Sequence, residues 1–429
     1  MKNQISKAHF GWCMYDWANS AFATVILAAV LPVYFVSLVP VDGARLFFAP
    51  GHSFAATSLW GYSVAISMLL IALIAPALGA LADRRGWHKG LLLVFCTAGC
   101  CATALLALPG DNNYLLVAGL FILANFSFAG SNIFYNAYLP HLVALEHADR
   151  LSARGYAYGY IGGGLMLALA FGLILKHDLF GFASVAAATR FGFLLTALWW
   201  FAFALPTFIF LPTTAKSNQP VQTLTLANYL TRFRKLLRYR DLCLFLLAFL
   251  CYNDGIQTLI SVSAVYAREE LQLGQATIIG CFLMIQFMAM PGAILFGRLS
   301  TRLGTLPSII LSLVIFLAVC CYAYVMKSAV EFWILGAVIA LVLGGSQALS
   351  RSLYASMVPL PQAAEFFGFF TISSRFAAIF GPLLFALIAD LSGSSRDSIL
   401  ALGIFFIIGG LLLLKVNVAR GRALALNRD

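Results

Sequence analysis

The sequence predicts an all-α membrane protein of twelve transmembrane helices in two pseudo-symmetric six-helix bundles, with both termini cytoplasmic. Three observations predict it. Of the 429 residues, 62% are hydrophobic and only 10% charged, where soluble domains run near half apolar and about a quarter charged. The apolar runs are continuous and about twenty residues long, the length of a spanning helix rather than the alternation of a barrel strand. A set of short motifs also recurs at offsets of 218 and 219 between the two halves of the chain.

The apolar segments fall at 13–38, 57–82, 90–108, 114–138, 156–176 and 190–211, then at 242–267, 276–298, 305–326, 331–355, 366–391 and 398–417. The longest polar stretch between them, 212–241, carries Arg232, Arg234, Lys235, Arg238 and Arg240. It is expected to be a cytoplasmic linker with a short amphipathic helix at the membrane surface. It separates an N-terminal bundle, 1–211, from a C-terminal bundle, 242–429.

Charge sets the orientation. Of 27 Lys and Arg, twenty fall on the side that holds both termini, six on the opposite side, and Arg375 inside an apolar segment. Basic loops stay in the cytoplasm, so the termini are placed there, and an even number of spans gives the same result. In a soluble protein a net charge of +11 would suggest nucleic acid; here the basic residues sit in short loops and no nucleic-acid partner is expected. The nine cysteines lie in or beside apolar segments without a CxxC, and read as small core residues rather than disulfides or ligands. The six histidines lie in loops or at helix ends, so no metal site is expected. Lys2 and Lys7 precede an apolar stretch that lacks a small-x-small exit, so the first helix is expected to stay as an anchor.

The repeat is specific. Gly79-Ala-Leu-Ala-Asp83-Arg84-Arg85-Gly86 is matched by Gly297-Arg-Leu-Ser-Thr301-Arg302-Leu303-Gly304 at an offset of 218. Pro140, Gly155 and Gly162-Gly163 are matched by Pro359, Ser374 and Gly381-Pro382 at an offset of 219. Four matches in one register imply duplicated six-helix halves about an axis along the membrane normal, with a solute site between them near the midplane.

The loop GALADRRGWHK resembles the signature between the second and third helices of major facilitator transporters. Its residues suit that place: Gly79 permits close helix packing, Asp83 can face a helix N-terminus or an arginine, and Arg84 anchors at headgroups. The opening run Tyr15-Asp16-Trp17-Ala18-Asn19-Ser20-Ala21-Phe22-Ala23-Thr24 is more specific. With Tyr252-Asn253-Asp254-Gly255-Ile-Gln257-Thr258, Gln347-Ala-Leu-Ser-Arg351-Ser352, Arg154-Gly-Tyr-Ala-Tyr-Gly-Tyr160 and Phe366-Phe-Gly368, it resembles the vacuole-effluxer-like branch of that superfamily. The resemblance runs from the first helix to the eleventh. It implies the major facilitator fold and a secondary transporter that works as a monomer without a cofactor. Eukaryotic members include an autophagy-related vacuolar amino acid effluxer. The chain lacks the long loops of the fungal members, which favours a bacterial inner membrane over a vacuolar one. Where relatives carry a lysine in the eleventh helix this chain has Arg375, a charge that effectively does not titrate.

Three charges stand out within apolar segments: Asp16, Asp254 and Arg375. An ionised group near mid-membrane costs at least a few kcal/mol, so it needs a partner or a wet cavity and is functional by default. The alternative is a structural ion pair, for instance between Asp254 and Arg375. Asp16, Asn19, Ser20 and Thr24 share one stripe of the first helix, and Asp254, Gln257, Thr258 and Ser261 share one of the seventh. The fourth helix offers Asn125, Asn132 and Asn136, and the tenth Ser346, Gln347, Ser350 and Arg351. The resemblance implies that helices one, four, seven and ten line the cavity. Expected substrate or proton ligands are therefore Asp16, Asn19, Asn132, Asn136, Asp254, Gln257, Gln347 and Arg375. Expected gating residues are Gly79, Asp83, Arg84, Gly86, Arg302 and Arg351; Arg351 could instead snorkel to the interface.

No Walker loop is present, so ATP does not drive the process directly. The expectation is alternating access of a small solute, guessed from the resemblance as an amino acid or related zwitterion, biased by a proton on Asp254 or Asp16. The alternatives are efflux of drug-like or lipidic compounds, which needs an apolar cavity, a channel, and a membrane receptor or enzyme, for which the sequence offers no clustered nucleophile or metal ligands.

Overall fold

The structure, a computed structural model, describes residues 7–40, 42–45, 53–110, 113–214, 226–377 and 379–426. The first part of the expected linker, 215–225, and the loop residues Lys2, His52, Lys216 and Arg428 lie outside them.

Nearly every described residue between the termini is helical. The first half holds α1 (Lys7–Ala21), α2 (Leu31–Leu38), α3 (Ala56–Arg85), α4 (His88–Leu105), α5 (Tyr114–Ala137), α6 (Leu139–Leu142), α7 (Leu145–Leu175) and α8 (Val185–Phe210). A two-residue antiparallel pair, β1 (Ala44–Arg45) and β2 (Ser53–Phe54), closes the loop before α3. After the linker helix α9 (Leu226–Leu237) come α10 (Arg240–Glu269), α11 (Gln275–Leu303), α12 (Thr305–Val325), α13 (Ala329–Ala355), α14 (Ala363–Phe376), α15 (Phe380–Ser392), α16 (Ser395–Ala401), α17 (Gly403–Leu414) and α18 (Val418–Leu426). Among the described residues eleven helical stretches are long and apolar enough to cross a membrane, and twelve with the bent pair α1–α2 counted as one span.

Local chemistry sets the ends. Ser184 caps α8 by accepting from the Ala187 N–H, and Ser328 with Glu331 forms a reciprocal capping box on α13. The turns after α3 and α11 rest on Gly86 and Gly304, at φ of +66° and +92°, a left-handed region where a side chain is strained. These are the matched glycines of the sequence repeat.

Three elements depart from the expected segments. The first span is not one α-helix: α1 runs into a π-helical stretch, Phe22–Ala29, and α2 leaves at 41° after Val30. Pro32, at the start of α2, has no N–H to continue the ladder. The fifth span begins at Leu145, eleven residues before the apolar run, because its first three turns are polar but helical. The eleventh span is broken between Phe376 and Phe380 into α14 and α15. Pro382 lies in the first turn of α15, where a missing N–H is tolerated.

The contacts divide the chain into two compact units, one of 1–75, 86–135 and 158–214, the other of 76–85, 136–157 and 215–429. The second therefore contains the last turns of α3, α6 and the first turns of α7 together with everything after the linker. The core of the first is aromatic: Trp12 stacks on Tyr135 at 4.7 Å and donates from its indole N–H to the Tyr135 carbonyl, while Phe22, Phe128 and Trp200 pack together. The second is centred on Phe249, Tyr354 and Phe370. Large side chains such as Leu73, Leu175 and Leu391 lie exposed on the outer faces, where acyl chains are their solvent. All nine cysteines are free.

Candidate functional site

The polar residues gather at four places, two at the depth of the apolar spans and two at helix ends.

In the first unit Asp16, the tenth residue of α1, is buried, and so is Asn19. The Asn19 amide donates to Asn132 Oδ1 on α5 at 3.0 Å, and Asn132 donates to the Phe128 carbonyl. The rest of the α1 stripe packs against the glycine row of α7. Thr24 donates to the Gly163 carbonyl, and a Cβ on Gly162 would strike the Trp17 backbone. Here the interhelical hydrogen bond, rather than a water-filled face, accounts for Thr24. Asn125 donates to Ser67 on α3.

The second place is the break between α14 and α15. Asp254 is the fifteenth of thirty residues in α10, and Arg375 the sixteenth of the 33-residue span that runs from Leu360 to Ser392. Both therefore sit at mid-span. The Asp254 carboxylate accepts from the backbone N–H of Phe380 and of Gly381, each at 3.0 Å, and from the Thr258 hydroxyl at 3.4 Å. It thus caps the N-terminus of α15, whose orphan N–H groups and partial positive charge would otherwise be buried without a partner. Gly381 admits the contact: a Cβ there would collide with Thr258 and Asp254. Arg375 lies half-buried in the last turn of α14, where a cation complements the carbonyl end of a helix. Asn253 donates to the Ser374 carbonyl beside it. Gln257 and Gln347 are half-buried, and among the described residues the buried hydroxyl of Ser346 has no hydrogen-bond partner. A carboxylate has the acceptor capacity to take both N–H groups at once.

The third place is the cytoplasmic-type motif. Asp83 is buried, and its two oxygens accept from the N–H of Ala364 at 3.0 Å and of Glu365 at 2.8 Å, the first turn of α14. Gly79 lies against the same turn so closely that a Cβ would overlap the Ala364 carbonyl. Arg84 is half-buried, and Arg302, its counterpart in the repeat, is exposed. Sequence reasoning missed the acid next door. Glu365 is buried and paired with Arg232 at 3.4 Å and with Lys235 at 2.9 Å, both on the linker helix α9. An acidic residue in the first turn of a helix was the available signal.

The fourth is a clamp on Arg351. This residue does not snorkel; it is buried. Its guanidinium donates to the Ser152 hydroxyl at 2.9 Å, to the Ser152 carbonyl at 3.0 Å and to Asn136 at 3.4 Å, and lies 4.2 Å over the Tyr156 ring. Asp149, also missed, accepts from Thr305 and Ser352 and ties α7 to the start of α12 and to α13.

Comparison with known proteins gives the family and the fold. The family model described as vacuole effluxer Atg22 like matches residues 5–148 and 143–426. The chain belongs to that family. The chain is 34% identical over 416 residues to the uncharacterized MFS-type transporter YxiO of Bacillus subtilis, covering 96% of this chain and 95% of that protein. It is 23% identical over 450 residues to autophagy-related protein 22 of Yarrowia lipolytica, covering 84% of this chain and 76% of the relative. Its fold is that of the proton:xylose symporter XylE, with a TM-score of 0.73 at 13% identity over 96% of this chain and 95% of the symporter. This Atg22-like chain is thus a multi-pass membrane transporter of the major facilitator superfamily rather than an enzyme.

Proposed function

We propose that the chain is a secondary transporter that moves a small zwitterion, an amino acid or a close relative, by alternating access coupled to a proton on Asp254. The observation that carries this reading is a carboxylate at mid-span whose two oxygens are occupied by the N-terminus of an interrupted helix. A charge this deep is costly. Spending it on a helix start makes the helix's position depend on the proton.

In this reading Arg375 holds the solute's carboxylate. Asp254 takes the proton or meets the amine, and Asp16, Asn19, Asn132, Gln257 and Gln347 supply further polar contacts. Asn136, which accepts from Arg351, serves the clamp. Gly79, Asp83, Arg84, Gly86, Arg302 and Arg351 act at the helix ends, where contacts must break and re-form as two six-helix halves rock. Both termini face the cytoplasm of a bacterial cell, and the chain works as a monomer in the inner membrane.

The family description, an effluxer, supports transport; the zwitterion is read from one carboxylate, Asp254, and one guanidinium, Arg375, each at mid-span. Uptake of labelled amino acids into proteoliposomes, with and without a pH gradient, tests it. Saturable, gradient-dependent uptake of one or a few is expected; no uptake of any of the twenty would remove the substrate from the proposal.

A further inference from the structure

Within the second unit, the start of α7 and the end of α11 border a crevice of about 780 Å³. Its charged lining is four arginines: Arg150 and Arg154 from α7, Arg298 and Arg302 from α11. No carboxylate lines it. Asp149, the nearest in sequence, is engaged by Thr305 and Ser352, and Glu146, one turn before Arg150, is exposed outside the lining. Among the described residues none of the four guanidinium groups makes a hydrogen bond or an ion pair.

That arrangement is unfavourable by itself. Each pair is spaced four residues apart on a helix, so like charges sit over one another on one face. The two pairs then confront each other across the crevice. Clustered cations without counter-charge are the footprint of an anion. The rest of the wall says which kind. On α11 the wall passes from Arg302 and Arg298 at the helix end to Leu299, Leu295 and Ile294 toward the apolar span, and Leu295 is half exposed. The floor is sealed where Gly297 approaches Ala153 so closely that a Cβ would overlap it. A cationic mouth above an apolar wall has the profile of a phospholipid, with headgroup at the interface and acyl chain below it; a soluble anion would need only the mouth.

We propose that this crevice binds an anionic phospholipid, its phosphodiester held between the arginine pairs of α7 and α11 and its acyl chain lying on Leu295 and Ile294. The lipid supplies the missing counter-charge and bridges the two helices. The site shares Arg302 with the proposed helix-end contacts, but none of its residues is placed at mid-span, so lipid retention is read separately from the substrate.

Native mass spectrometry of the full-length protein, delipidated in mild detergent, tests it. Phosphatidylglycerol is compared with phosphatidylethanolamine of the same acyl chains. The expected result is retention of phosphatidylglycerol over phosphatidylethanolamine, falling on the order of tenfold in Arg298→Gln/Arg302→Gln and kept in Arg298→Lys/Arg302→Lys. Millimolar inorganic phosphate should not displace the lipid. Equal retention of the two lipids, unchanged binding in the glutamine variant, or displacement by inorganic phosphate would each overturn the proposal. Should the double glutamine variant fail to fold, Arg302→Gln alone, exposed at the helix end, is expected to lose several-fold of the retention, and no loss there would count equally against it.

Discussion

Asp254 and Arg351 show how a buried polar residue can be read only with its partner. Asp254 serves as a cap, so its replacement should cost both stability and coupling. Asp254→Asn keeps an acceptor but loses the charge, and should destabilise the folded protein by about 1–2 kcal/mol, the usual worth of a lost cap. Thermal unfolding in detergent measures that. Transport by the same variant should lose its response to a pH gradient. Arg351 is different: its guanidinium donates to the Ser152 hydroxyl and carbonyl and to Asn136, and stacks on a ring. Lysine can reproduce neither the fork nor the stacking. Arg351→Lys is therefore expected to melt below the wild type, by about 1–3 kcal/mol for the bonds left unmade; a melting temperature equal to the wild type would show that the clamp contributes nothing.

Among elements, the breaks matter more than the spans. The first span turns π-helical and bends ahead of Pro32, and the eleventh stops at Phe376 and restarts at Phe380. Neither break is legible from hydropathy, because the residues across it are as apolar as their neighbours; what changes is the backbone ladder. Gly381-Pro382 was visible in the sequence as part of a repeat, but the N–H groups it leaves to Asp254 have no sequence signature. The polar start of α7, Leu145 to Gly155, was hidden for the opposite reason, since it is helical without being apolar. Charges inside apolar runs were legible: Asp16, Asp254 and Arg375 stood out at once. The close packing of Gly79 was legible too. Gly79 touches the backbone of Ala364, which cannot swing aside as a side chain would. Gly79→Ala should thus strain the α3–α14 contact by about 1–3 kcal/mol, with a lower melting temperature as readout. The same change at Gly90, which has open space, should leave it within about 0.5 kcal/mol of the wild type.

At the level of the whole molecule, composition and the length of the apolar runs together indicated the class. Eleven or twelve apolar helices, and a match to the Atg22-like family across nearly the whole chain, agree with what 62% hydrophobic residues require. The pairing of Glu365 with Arg232 and Lys235 was not legible, because it joins residues 130 and 133 positions apart that share no pattern. Orientation rests on twenty basic residues against six. Single cysteines introduced at Arg85 and at Lys327, in a background without native cysteines, should react with a membrane-impermeant maleimide from opposite faces: Lys327 in intact cells, Arg85 only after permeabilisation. The reverse pattern would invert the topology.

The most direct test of the account is amino acid uptake into proteoliposomes under an imposed pH gradient, wild type beside Asp254→Asn. The wild type is predicted to accumulate at least one amino acid saturably and faster with the gradient, and the variant to show no gradient response. Equal stimulation of both proteins would contradict the role given to the α15 cap.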